Sequence, residues 1–478
     1  MKIGPDIISS LISFLLVRGV SRFAARNATA RNNANNGSLD APRTRKMNSG
    51  GSRLSRLIAL PIFFGCLSTL FAQTTYYVAT NGSSSNDGVS TNTPWPLSYA
   101  LDNVGPSNTI IVMPGTWSGT EFIIGQPGIT LQSQVKWGAR IINSPGDGIA
   151  VWTGSTPPCL HDVTIDGFEV ESPAKHGITI YADSNCIVRN CWVHHIATNG
   201  TGEYQGIDAT LSSTEQEGQL NVLIENNLIE DIGSPAYAKF CHCMYLAGTN
   251  FTVRNNICRY ATGNGIQIND NTNLLGSKNI QLYNNLCYNN AWCQIVLGSQ
   301  YGSVYANLYC NICYNPTNVV GTNSATCTAI GMYTPNGTCS ATLTNNILIG
   351  GGGTLYEGVL TASVASDYNI IGRIDYMPLT AHSILTTFPG FVNTNNGLYW
   401  VAANSPVRGA AFATACGTND FFGNPQSSVT DIGAFQYNVL YNLDTRALDP
   451  SPACPNYWLV LTQPLPPSDL RIVSDSSQ

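Results

Sequence analysis

Val253-Arg254-Asn255-Asn256, Leu282-Tyr283-Asn284-Asn285 and Leu343-Thr344-Asn345-Asn346 are copies of one phrase: an aliphatic residue, a variable one, then Asn-Asn. Ile224-Glu225-Asn226-Asn227 is a fourth such copy and looser ones stand at Ile165-Asp166-Gly167, Val188-Arg189-Asn190-Cys191 and Leu308-Tyr309-Cys310-Asn311, all seven following at successive intervals of 23, 36, 29, 29, 26 and 35 residues. Five positions after each aliphatic residue comes a second apolar one: Val170, Val193, Ile229, Cys258, Cys287, Cys313 and Leu348. A third strand phrase follows, as in Gly177-Ile178-Thr179-Ile180 and Gly265-Ile266-Gln267-Ile268. Short alternating strands separated by Asn/Gly turns and repeating at this period describe a β-solenoid. No single coil buries its inward face alone, so the coils must stack. Asn suits the turns because it tolerates a left-handed backbone and its amide can bond the coils above and below. A leucine-rich repeat would need a denser Leu pattern, and a propeller four antiparallel strands in a longer repeat.

Composition agrees. Of 478 residues only 10% are charged, and 45 Gly with 25 Pro argue against a mostly helical chain. Residues 47–72 read as an export signal, with Met47, Arg53 and Arg56 ahead of the apolar run Leu57 to Leu70 and Ala72 at its end. Residues 1–46 are then a mis-set start or a leader extension. The chain is expected to be secreted, extracellular or periplasmic, without a membrane span in its mature form, and monomeric. Without residues 1–72 it keeps 12 basic and 26 acidic residues, a net charge near −14. That balance disfavours nucleic acid as a partner.

The cysteines Cys258, Cys287 and Cys313 fall on one inward stack, where buried thiols act as small apolar groups. Cys327 and Cys339 flank an insertion and are expected to form a disulfide. Cys241-His242-Cys243 and Cys310-Asn311-Ile312-Cys313 lack a matching second pair at zinc spacing, so no metal site is assigned.

Three segments resemble secreted right-handed parallel β-helix proteins of the pectate-lyase-like superfamily. Residues 75–117, through Asn108-Thr109-Ile110-Ile111-Val112-Met113-Pro114-Gly115-Thr116, look like its cap and first coil. Residues 221–268 look like its coil repeat, and Phe388-Pro389-Gly390-Phe391 to Asp431-Ile432-Gly433-Ala434-Phe435 like its closing segment. The resemblance implies an all-β, right-handed parallel β-helix over 73–437: cap and first coil 73–135, repeat coils 136–375, closing segment 376–437. Residues 438–478 form a Pro-rich tail. It also implies a polysaccharide or other glycan as partner. The superfamily's calcium-dependent lyases carry an Asp cluster, and its hydrolases an Asp-Asp pair and a Gly-His-Gly step. None of these occurs here, so Ca2+ is left open and no cofactor is assigned.

Alternation in the third strand stack predicts outward pairs in register: His176 and Thr179, Gln205 and Asp208, His242 and Tyr245, Asn264 and Gln267. Lys175, His194, His195, Glu203 and Lys239 lie close in sequence. β-Elimination of a uronate polymer needs a base, an acid and a group that neutralises the carboxylate. His242, Tyr245, Lys239 and His176 are the expected catalytic residues. Asp208, Gln205, Gln267, Asn264, Lys175, His194, His195 and Glu203 are expected to bind substrate. Glycoside hydrolysis instead needs two carboxylates, for which Asp208 and Glu203 are the local pair. A third reading is a non-catalytic glycan-binding or cell-surface solenoid, in which His176 and His242 only hydrogen-bond backbone.

Overall fold

A computed structural model describes residues 73–437, apart from short internal stretches of which the longest are 153–159, 211–218, 316–327 and 423–429. The expectations for residues 1–46, 47–72 and 438–478, and for Cys327, fall outside the described residues. Each coil contributes one strand in turn to three long parallel sheets. In one coil these are Ile187–Arg189, Trp192–Ile196 and Ile207–Ala209, which belong to the first, second and third sheet respectively. The opening rung Thr75–Val78 pairs with Thr109–Val112, and the helix Leu97–Asn103 between them buries Leu97 and Ala100. The expected all-β parallel β-helix is the architecture observed.

The recurring phrase makes the turn from the first sheet to the second. Its third residue is left-handed in coil after coil: Asn190, Asn226, Asn255, Asn284, Cys310 and Asn345 have φ between 53° and 59°. This lets the chain turn sharply after a three-residue rung, and Asn accepts the conformation at little cost. The following residue is a fully buried Asn at 227, 256, 285, 311, 346 and 369. Asn285 is representative. Its Oδ1 accepts from the backbone N–H and the Nδ2 of Asn256 at 3.1 Å each. Its own Nδ2 donates to the Val253 carbonyl at 2.8 Å and to Asn311 Oδ1 at 3.0 Å. The unpaired groups of each turn are thus satisfied by the next coil. A second, exposed ladder runs through the left-handed residues Asn185, Asn221, Asn250 and Asn279, whose amides bond in series at 2.8–2.9 Å.

The inward faces form one continuous apolar column, with Ile165, Val188, Ile224, Val253 and Leu282 from the first sheet among its members. Cys258, Cys287 and Cys313 stack in register in the second sheet as buried free thiols, as their spacing implied. The expected Cys327–Cys339 bridge is not formed. Cys339 is a buried free thiol that donates to the Leu297 carbonyl, whereas Cys310 is disulfide-bonded. Coils also approach closely beside the third sheet. A Cβ on Gly177 would lie 2.5 Å from the Gly206 carbonyl oxygen, and one on Gly206 2.6 Å from that of Cys243.

The closing segment covers the outside of the second sheet. Ile384–Leu385 adds its last rung, and Phe391–Asn393 pairs antiparallel with Leu398–Val401. Tyr399, Trp400, Phe421, Phe422 and Phe435 then build a second core against Leu286, Ile312 and Ile347. The third sheet carries the open cavity described next.

Candidate functional site

The third-sheet strands Ile178–Ile180, Ile207–Ala209, Met244–Leu246 and Ile266–Asn269 bury their first and third residues and turn the middle one outward. Register places Thr179 opposite Asp208, Asp208 opposite Tyr245, and Tyr245 opposite Gln267. From Asp208 through Tyr245 to Gln267 this row floors a cavity of about 650 Å³. His176, Glu203, Gln205, Asp208, Lys239, His242, Tyr245, Asn264 and Gln267 all line it.

Three sequence candidates lie elsewhere. His194 and His195 belong to the second-sheet strand Trp192–Ile196, and the exposed Lys175 does not line the cavity. For the two histidines the physical reason is that one coil turns through three faces, so residues a dozen apart in sequence need not share one. The cavity also uses residues the sequence reading did not select: Phe240, Asn269, Trp292, Val296, Gln300, Met332 and Tyr333. The outward row continues from Gln267 to Val296 and Gly331, so two further rungs of the same register would have found part of this wall.

A second ladder runs along the cavity edge, two residues before each rung. The N–H of His176 donates to Asp147 Oδ1 at 3.1 Å, and that of Gln205 to His176 Nδ1 at 3.0 Å. The His242 N–H donates to Gln205 Oε1 at 2.7 Å, and the Asn264 N–H to His242 Nδ1 at 2.9 Å. The Cys293 N–H completes the series on Asn264 Oδ1 at 3.0 Å. Each side chain caps the backbone of the next coil. Both histidines accept through Nδ1, so in each neutral ring the proton sits on Nε2.

That arrangement makes His242 a donor into the cavity and not a base. Its Nδ1 lone pair is engaged, and burial pulls its pKa down to about 3. The ring is a neutral Nε2–H donor stacked on Tyr245, with centroids 5.8 Å apart. Tyr245 Oη accepts from Asn269 Nδ2 at 2.6 Å. Burial raises its pKa to about 12, with the Asn269 bond acting in the opposite direction. Asp208 is buried; its Oδ1 accepts from Thr210 N–H at 3.0 Å and Thr210 Oγ1 at 2.7 Å. Its Oδ2 lies 3.6 Å from His176 Nδ1, and burial raises its pKa. Lys239 is exposed at the rim, its Nζ 4.8 Å from the Phe240 ring centroid.

The donor set does not suit Ca2+, which takes six to eight oxygen ligands (~2.4 Å). The side-chain oxygens of Gln205, Asn264 and Gln267 already accept protein hydrogen bonds, as does one oxygen of Asp208. No helix among the described residues is long and apolar enough to cross a membrane.

Residues 138–328 match the family model "Right handed beta helix region". No curated protein matches the sequence significantly. Among solved structures, pectate lyase Pel9A superposes with a TM-score of 0.49 at 16% identity, covering 77% of this chain and 97% of that one. XylC in complex with xylose gives 0.41 at 10% identity, covering 76% and 98%, and a rhamnogalacturonan lyase 0.36 at 14%, covering 65% and 90%. The matched region and the stacked three-sheet coils together identify the fold as a right-handed parallel β-helix.

Proposed function

We propose that the third-sheet cavity binds a stretch of a glycan chain and cleaves an acidic polysaccharide by β-elimination. The observation that carries this reading is the direct pairing of Asp208 with Tyr245 on the cavity floor, beside a neutral His242. The walls suit a sugar: Phe240 and Tyr333 present exposed rings, and Gln267, Asn269 and Gln300 supply amides. The Trp292 Nε1 donor is buried there without a protein partner. A uronate carboxylate would meet the Lys239 ammonium and the His242 Nε2–H, which lowers the acidity barrier of the adjacent C–H bond. Asp208, made more basic by burial, takes that proton through Oδ2. The released electron pair forms the C=C bond as the glycosidic C–O bond breaks. Tyr245, a phenol that stays protonated to about pH 12, gives its proton to the leaving oxygen.

Hydrolysis is the second reading, because Glu203 lines the same cavity as Asp208. Buried Asp208 would then be the acid and exposed Glu203 the base. One experiment separates the outcomes. The purified protein is incubated with a panel of uronate and neutral polymers while unsaturated product is followed by ultraviolet absorbance and new chain ends by reducing-sugar release. Elimination predicts absorbance that Tyr245→Phe lowers by ~100-fold or more and Glu203→Gln leaves in place. Chain ends without absorbance, abolished by Glu203→Gln, would replace elimination with hydrolysis. Neither product from any polymer would leave binding alone.

A further inference from the structure

The second sheet holds a chemically different cluster. Glu171, His194 and His195 each offer one ligand atom, and these atoms lie within 4.8 Å of one another. Neighbours in a regular strand point to opposite faces. His195 escapes that rule because it sits at a left-handed bulge, φ 55°, which recurs one coil on at Asp231, φ 54°. The two imidazoles therefore converge, their Nδ1 atoms 2.6 Å apart. His194 Nε2 lies 3.3 Å from Oε1 of the buried Glu169, whose other oxygen is held by Arg140 Nε at 2.8 Å. An Nε2–H directed at Glu169 leaves the Nδ1 lone pair of His194 facing His195. Carboxylates orient metal-binding histidines in this way. Glu171 reaches the cluster from the preceding coil, in register with His194, while its Oε2 accepts from Arg140 Nη2 at 3.1 Å. The Trp192 ring stacks on His194 at 4.0 Å and fixes its plane. Glu169, Glu171 and Asp231 against Arg140 leave this corner negative.

We propose that Glu171, His194 and His195 form a surface site for one divalent transition-metal ion of the Zn2+ type. Imidazole nitrogen with carboxylate oxygen is a donor set that suits such an ion, and Asp231 or water would complete the coordination. The two Nδ1 atoms share one proton in the metal-free cluster; binding moves that proton to His195 Nε2 and opens the ring pair to admit the ion. The site is separate from the third-sheet cavity, so it stands or falls independently of the reading given for that cavity.

The test uses the full chain without a polyhistidine tag, stripped with a chelator and titrated with Zn2+ by calorimetry and with Co2+ by visible absorption. One saturable equivalent is expected. His195→Ala, a change at an exposed residue, should weaken it by ~10-fold or more, and Glu169→Gln by roughly 10- to 100-fold. Melting temperatures of both variants confirm that they fold. No saturable binding, binding unchanged in His195→Ala, or a thiolate-to-cobalt charge-transfer band would each overturn the assignment.

Discussion

Two ladders in this molecule perform the same backbone service with different residues. Along the turn between the first and second sheets, every rung from Asn227 to Asn369 uses a fully buried Asn. Along the cavity edge the capping side chain changes at each coil: Asp147, His176, Gln205, His242, Asn264. A side-chain hydrogen bond to a neighbouring coil's N–H is common to both, the Asn rungs capping the preceding coil and the cavity-edge side chains the following one. Where nothing but that bond is required, one residue type is repeated. At the cavity edge any acceptor of suitable reach closes the bond, so the remaining atoms of each side chain are free to serve the cavity. His242 shows the division within one ring, with Nδ1 committed to Asn264 and Nε2–H left over.

The comparison breaks first at the buried ladder. Asn285→Ala removes the side-chain partner of the buried Asn256 N–H and of the Val253 carbonyl, while Asn256 Nδ2 keeps the Ile224 and Arg254 carbonyls. It should destabilise the fold by roughly 3 kcal/mol or more in urea unfolding. A loss well below that would mean that water replaces the amide and the ladder is not a structural spine.

Acid sharpens the contrast, because only the cavity-edge ladder contains titrating groups. The pKa of His242 falls from its ordinary 6.5 to about 3 on burial. Between those values the unfolded chain carries a proton there that the folded chain lacks. Stability is therefore complete above the upper value and declines as pH falls towards the lower one, by about 1 kcal/mol per pH unit from this group. Unfolding midpoints of wild type and His242→Asn across this range should diverge, the variant losing less. Parallel curves would show that the ring is not held neutral.

The smallest effect belongs to the exposed ladder. Asn250→Ala removes bonds to Asn221 and Asn279 that water can replace, and should cost under about 1 kcal/mol. A cost equal to that of Asn285→Ala would remove burial as the reason for the difference.

These ladders also explain how much could be read in advance. The Asn-Asn phrase and the apolar residue five positions on are local periodic signals, so the coils, the thiol stack and the outward register of Asp208, Tyr245 and Gln267 were legible. Capping by His176 and His242 was foreseen as one alternative, but choosing it required knowing which ring nitrogen faces the neighbouring coil. His194 and His195 were grouped with the cavity because they are near in sequence, whereas the turn after Ile196 takes the chain to another face. The cover that Tyr399, Trp400 and Phe435 place over the second sheet comes from residues far along the chain and has no period to betray it.

Within the cavity, His242→Ala and His242→Asn separate cap from chemistry, since Asn264 shows that an Asn closes the same bond one coil on. His242→Ala leaves the Asn264 N–H buried and unpaired, at about 2 kcal/mol. The decisive measurement is the turnover of a uronate polymer by His242→Asn beside its unfolding midpoint. At neutral pH the account predicts a midpoint close to wild type with most of the turnover gone, because the cap is kept and the Nε2–H donor is lost. Full turnover in that stable variant would contradict it and reduce His242 to a rung of the scaffold.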